Sequence, residues 1–304
     1  MFFVPRSSFT VLGLFLLLFS HNVVDSCDVK FAVIGDYGTI NDDTHKVSKL
    51  VKSWTPDFIM TTGDNNYPTG EAETIDQNIG SMYSEYIYPY NGDYTQSTVN
   101  HNRFWPCLGN HDFGRGNDAK PYFDYFPALK NQFYYDFVSG NVHFFALCSD
   151  RRCPEGVSPD SPQLRWATEK IKESQAPWKI VYYHHPTYSS QVLVPECGPW
   201  PLEHRGKNSE RKINLPFSEW GVSLVLSGHL HLYERFKIND THYVTNGLGG
   251  DIKYRFEDPH PDSESIVRFD QEAGAMLMEA TDKELSCKFV TISGNIVDHF
   301  LLQK

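Results

Sequence analysis

Val29-Lys30-Phe31-Ala32-Val33-Ile34-Gly35-Asp36 sets the pattern of this chain: a short apolar run that stops on a glycine and a carboxylate. The run is too short for a helix, and its β-branched and aromatic content suits a buried strand. Four further apolar runs end on polar turns, most of them containing glycine. Phe58–Thr62 leads into Gly63-Asp64, and Phe104–Leu108 into Gly109-Asn110-His111-Asp112. Lys179–Tyr183 leads into His184-His185-Pro186, and Val222–Ser227 into Gly228-His229-Leu230-His231. Helical stretches at His45–Ser53, Glu73–Tyr86 and Gln163–Ser174 fill some of the gaps, the last with Ser161 as cap and Pro162 at its first position. Strand, helix, strand order at the start implies a βαβ crossover. The last third reads as a meander of Met276–Ala280, Leu285–Ile292 and Ile296–Leu302, with Ser293-Gly294-Asn295 as a tight turn. The expected fold class is α/β: a four-layer sandwich of two mixed β-sheets packed face to face and flanked by helices.

At 304 residues the chain can build one large domain with a deep core, and no Ser/Gly linker divides it. A formal net charge of -11 argues against a nucleic-acid surface. An acidic protein that binds an anionic substrate needs local positive charge, which metal ions supply. At the N-terminus Arg6 precedes the apolar run Phe9–Phe19, too short to cross a bilayer, and Val24 and Ser26 stand at the positions for cleavage before Cys27. Residues 1–26 therefore read as a signal peptide and 27–304 as the mature domain, secreted or lumenal, with no membrane span after cleavage. The six cysteines Cys27, Cys107, Cys148, Cys153, Cys197 and Cys287 suit disulfides in an exported protein. Cys153 and Cys197, in polar loops, are the better bridge candidates; Cys107 and Cys148, in apolar strands, read equally well as free core thiols. Asn239-Asp240-Thr241 is a sequon.

Asp36, Asp64, Asn110, His184, His229 and His231 all fall just past the ends of expected strands, where open α/β sheets bind ligands. These oxygen and imidazole groups are too many for one tetrahedral zinc and suit two ions sharing a carboxylate. His229 and His231 alternate with apolar residues, so on a strand both face one side.

Taken in order, these motifs resemble the calcineurin-like metallophosphoesterases and, within them, the purple acid phosphatases. The family pattern reads here as Gly35-Asp36-Tyr37-Gly38, Gly63-Asp64 with Tyr67, Gly109-Asn110-His111, Val181 with His184, and Gly228-His229 with His231. Chain length is similar to the small, tartrate-resistant type, whereas Tyr233-Glu234-Arg235 looks like the plant members. The resemblance implies that Asp36, Tyr67 and His231 hold a ferric ion, that Asp64 bridges, and that Asn110, His184 and His229 hold a second divalent ion: iron, zinc or manganese. A phenolate at Tyr67 is the donor that favours Fe(III). His111 resembles the histidine that contacts phosphate, with Asp112 fixing its tautomer. With ligation given to His184, His185 points away or towards substrate, and the outward, structural placement is the expectation. The small enzymes carry a second substrate histidine in a Glu-His-Gly-Pro run; here the match is Glu196-Cys197-Gly198-Pro199, so either a histidine such as His204 takes that place or leaving-group protonation relies on Glu196 or His111.

The implied activity is acid phosphatase: hydrolysis of phosphomonoesters at a binuclear Fe(III)–M(II) centre, with metal-bound hydroxide as nucleophile. The expected assembly is a monomer, and the expected partner is the phosphomonoester alone. A phosphodiesterase or nucleotide pyrophosphatase on the same scaffold, and a non-catalytic metal-binding protein, are the alternatives left open.

Overall fold

The five apolar runs become strands in two sheets whose parallel segments end at one edge of the molecule. The structure is a computed structural model that describes residue 1 and residues 29–94, 100–116, 118–191, 213–256 and 264–304. One sheet runs β13 (Ile296–Gln303), β12 (Glu284–Thr291), β11 (Gly274–Ala280), β1 (Val29–Ile34), β2 (Phe58–Thr61) and β3 (Phe104–Pro106). Its β1–β2–β3 half is parallel and its C-terminal half antiparallel, so the expected meander forms. The other runs β10 (Ser265–Phe269), β8 (Tyr233–Ile238), β9 (Thr241–Asn246), β7 (Leu224–Ser227), β6 (Trp178–Tyr182), β5 (Val142–Ala146) and β4 (Tyr135–Ser139). Its central strands β5, β6, β7 and β9 are parallel. Both sheets are mixed, as expected.

Alternation along the strands shows where the core sits. Phe144, Ile180, Tyr182, Leu224 and Leu226 belong to the cluster that also holds Phe31, Phe58 and Phe289 of the other sheet. Their neighbours Phe145, Val181, Tyr183 and Val225 turn the other way, onto Leu164, Ala167 and Ile171 of the helix Pro162–Glu173. This is the period-two pattern of strands buried on both faces. Between the sheets, Phe31 and Phe58 meet Phe144 edge-on at 5.1 and 5.4 Å, and Tyr233 stacks on Phe289 at 4.3 Å. Arg235 and Tyr233 both bond Asp298, so Tyr233-Glu234-Arg235 ties β8 to β13 across the interface. Glu234 accepts from Ser189, Ser190 and Ser265.

Two helices differ from expectation in instructive ways. The first starts at Asp42, earlier than His45, because Asn41 and Thr44 form a reciprocal capping box. The Glu73–Tyr86 stretch is broken into short α, π and 3-10 turns. There Asn78 turns its amide to Asn66 Oδ1 and Tyr67 O, bracing the loop that carries Tyr67. Ser161 caps its helix and Pro162 opens it, as read from sequence. Among the described residues no helix is long and apolar enough to cross a membrane. Residues 2–28, which hold nearly all of the expected signal segment and Cys27, lie outside the described residues.

Candidate metal centre

The loops after β1, β2, β3, β6 and β7 meet where the two sheets share an edge. Three backbone features force the meeting. Asp36, Asp64 and His229 all adopt positive φ, at 55°, 52° and 69°, a conformation that non-glycine residues rarely take and that collects at functional sites. Gly63 (φ 94°) permits a turn in which a Cβ would stand 2.7 Å from His184 Nδ1. A Cβ on Gly109 would land on the Asp64 carboxylate, so that approach requires glycine.

All seven donors expected from sequence converge, in two groups that share one oxygen. In the first, Tyr67 Oη lies 3.4 Å from Asp36 Oδ1, 3.1 Å from Asp64 Oδ2 and 3.1 Å from His231 Nε2. His231 Nε2 lies 3.3 Å from Asp36 Oδ1. In the second, Asn110 Oδ1 lies 3.0 Å from His184 Nε2 and 2.9 Å from His229 Nδ1, and those nitrogens are 3.2 Å apart. His184 Nε2 lies 3.2 Å from the same Asp64 Oδ2. Donors bound at about 2.1 Å to one ion stand about 3 Å from each other, so both groups fit a metal ion and Asp64 fits the shared position.

Hydrogen bonds behind the donors orient them. His184 Nδ1 faces Thr62 O at 2.8 Å and His231 Nδ1 faces Ile252 O. A carbonyl can only accept, so each Nδ1 carries its proton and each Nε2 is turned to the centre. The His229 amide donates to the Asp36 carboxylate, and the His111 amide to Asp64 Oδ1 at 2.9 Å.

The electrostatics match a site built for cations. Burial works against the Asp64 charge, but His184 and His111 hold its carboxyl well below the usual range. Burial tends to lower His184 and His231, yet Asp64 and Asp36 raise each to about 9. His229 is driven well below its ordinary value by burial and by the neighbouring histidines, which keeps it neutral. Burial, with Asp64 and Asp36, pushes the Tyr67 phenol far up. Clusters of potential ligands occur at Asp36, Asp64 and His184 and again at His184, His185 and His229.

His111 stands at the rim with its side chain 33% exposed, its Nδ1 facing Pro68 O and its Nε2 4.0 Å from Asp64. Asp112 does not touch it, which corrects the expected Asp112–His111 pair. Its buried carboxylate instead accepts from the amides of Asn65, Asn66 and Gly109 and from the Asn65 side chain. The reason is geometric: the turn Asn110–Phe113 points Asp112 inward while His111 points out. Burial, then the charge of Asp64, pushes Asp112 up to about 7.

His185 is a second correction. Its ring lies 4.9 Å from that of His184 and 4.5 Å from that of His229, facing the centre. Burial and His184 push its pKa down to about 3, so the ring is neutral. Ser149 and Arg152, on the loop after β5, were missed by sequence reasoning. Their only signal was position past a strand that ends at the same edge. Glu196, Cys197 and His204 lie outside the described residues. Cys107, Cys148, Cys153 and Cys287 are buried free thiols.

The calcineurin-like phosphoesterase profile matches residues 29–233. The chain is 23% identical to purple acid phosphatase 17 of Arabidopsis thaliana over 91% of this chain and 85% of that protein. It is 22% identical to tartrate-resistant acid phosphatase type 5 of Mus musculus over 92% of each. The solved purple acid phosphatase PPD1 from yellow lupin (Lupinus luteus) seeds superimposes with a TM-score of 0.67 at 16% identity, covering 90% of this chain and 53% of that one. Every donor from Asp36 to His231 falls inside the matched span, and the chain belongs to the calcineurin-like phosphoesterase family.

Proposed function

We propose that the chain is a phosphomonoesterase of the purple acid phosphatase kind, working outside the cytosol after removal of residues 1–26. Asp36, Tyr67 and His231 would hold a ferric ion, Asp64 would bridge, and Asn110, His184 and His229 would hold a divalent iron, zinc or manganese. The observation that carries this reading is the pair of donor groups, each spaced at about 3 Å and joined through Asp64 Oδ2. Tyr67 supports iron at the first position. A phenol wedged between two carboxylates holds its proton tightly, and a strong Lewis acid is needed to take it as phenolate.

Such a pair of cations supplies positive charge to a phosphoryl group and acidifies water. The chain's own residues do the rest. Asn110, His184 and His229 would fix the second position against which the ester sits. His111, exposed at the rim, reaches a phosphoryl or leaving oxygen, where a hydrogen bond strengthens as charge develops. Glu196 would serve as a second proton donor.

The test is visible absorption with elemental analysis of the metal-loaded protein. A broad charge-transfer band that disappears in Tyr67→Phe supports the reading, together with faster turnover of an aryl monoester than of a bis-aryl diester. A colourless protein, fully active with zinc or manganese alone, refutes the iron assignment. Preference for the diester refutes the substrate class.

A further inference from the structure

The two donor groups leave one imbalance: a third imidazole, His185, packs against the second group without belonging to it. One of its ring nitrogens lies within 4.8 Å of the ligand nitrogens of His184 and His229. The His185 backbone amide donates to Ser149 Oγ at 2.9 Å, and that same Oγ lies 2.9 Å from His185 Nδ1. A hydroxyl carries one proton. Having accepted the amide, Ser149 gives its proton to Nδ1, the acceptor within its reach among the described residues. With Nδ1 accepting from Ser149, the ring proton of His185 is assigned to Nε2. Nδ1 is engaged and Nε2 carries hydrogen, so the ring offers the centre a donor, which an anion can accept and a metal ion cannot use.

The loop that fixes this ring also grips the second donor group. Arg152 forks onto Asp150, with Nε 2.8 Å from Oδ1 and Nη2 2.9 Å from Oδ2. Its Nη2 also donates to the carbonyl of Asn110 at 2.6 Å. Ser149, Asp150 and Arg152 therefore brace His185 and Asn110 together from a buried, tightly turned segment.

We propose that His185 is a substrate-contacting residue, donating Nε2–H to an oxygen of a phosphoryl group seated over Asn110, His184 and His229. This rests on the binuclear phosphoesterase reading given above. The contact holds the ester against the second position, and it sets affinity for the phosphoryl group.

The experiment measures inorganic phosphate binding by calorimetry and bound metal by elemental analysis, on the metal-loaded full chain and its variants. His185→Leu keeps two metal ions per chain and weakens phosphate binding about tenfold, the worth of one hydrogen bond to a charged group. His185→Gln, whose amide N–H reaches toward the Nε2 position, stays within about threefold of wild type. Ser149→Ala, which releases the tautomer, falls between them. Wild-type phosphate affinity in His185→Leu overturns the contact, and loss of one metal ion per chain overturns it in favour of direct ligation. If His185→Leu does not fold, Ser149→Ala decides, and wild-type affinity there overturns the proposal. A wild-type chain that holds no metal pair refutes instead the binuclear reading, so the two failures are told apart.

Discussion

The backbone amide of His229 donates to both carboxylate oxygens of Asp36, at 3.0 and 2.9 Å, across 193 residues of chain. The bond joins the loop after β7 in one sheet to the loop after β1 in the other. Asp36 therefore anchors the meeting of the sheets as well as offering a ligand oxygen. Asp36→Ala strands a buried amide and lowers the stability of the metal-free protein by about 1–3 kcal/mol. Asp36→Asn keeps an acceptor and loses less, while both variants lose metal at the first position. Urea denaturation beside elemental analysis checks this, and equal stability of the two variants would count against the anchoring role.

Metal uptake should release protons. In the metal-free protein burial lowers His184 and His231, but the adjacent Asp64 and Asp36 raise each to about 9, so both are protonated at neutral pH. Each must give up its Nε2 proton to coordinate, so loading at neutral pH releases about two protons per chain or more. Affinity for metal then falls steeply as pH drops. Calorimetry in buffers of different ionisation enthalpy reads the count; a release of none would contradict the ligand assignment.

Asp112 is a structural anchor. Asp112→Ala leaves the amides of Asn65, Asn66 and Gly109 without their acceptor and lowers stability by about 2–3 kcal/mol or more. Metal occupancy falls with it, because those amides shape the Asp64 and Asn110 loops. Chemical denaturation is the measurement. A variant of normal stability that loses only turnover would restore the direct partnership with His111.

Away from the centre, His242 makes the fold sensitive to acid. Burial, then Arg235, lowers it to about 4 from an ordinary value near 6.5, and its ring stacks on Phe300 at 4.9 Å. The unfolded chain takes up a proton here at a pH where the folded one does not. Stability therefore rises with pH between about 4 and 6.5 and is lost as pH falls through that window. In His242→Gln the dependence across this window flattens, as thermal melts at stepped pH will show. A variant with the wild-type slope would place the sensitivity elsewhere.

Much of the site was legible because metal ligands are chemically conspicuous and strand ends are easy to find. Asp36, Asp64, Asn110, His184, His229 and His231 stood out by residue type at the close of apolar runs, and Tyr67 through the resemblance to the purple acid phosphatases. His185 was misread because ligation was assigned to its neighbour His184, which left it to point away. Past Tyr182 the strand has ended, and in the loop Ser149 bonds both the amide and the ring of His185. Asp112 was misread because nearness in sequence to His111 was taken for contact.

The sequence by itself determined which segments are strands, which residues can bind cations, and the family to which their order belongs. These properties are local: apolar content, turn residues and side-chain chemistry act over a few residues. Only the tertiary structure decided that one Asp64 oxygen serves both donor groups, that carbonyls of Thr62 and Ile252 aim two imidazoles, and that Ser149 presents a third. Those outcomes depend on contacts between distant loops, whose angstrom-scale spacing follows from sheet register and backbone strain.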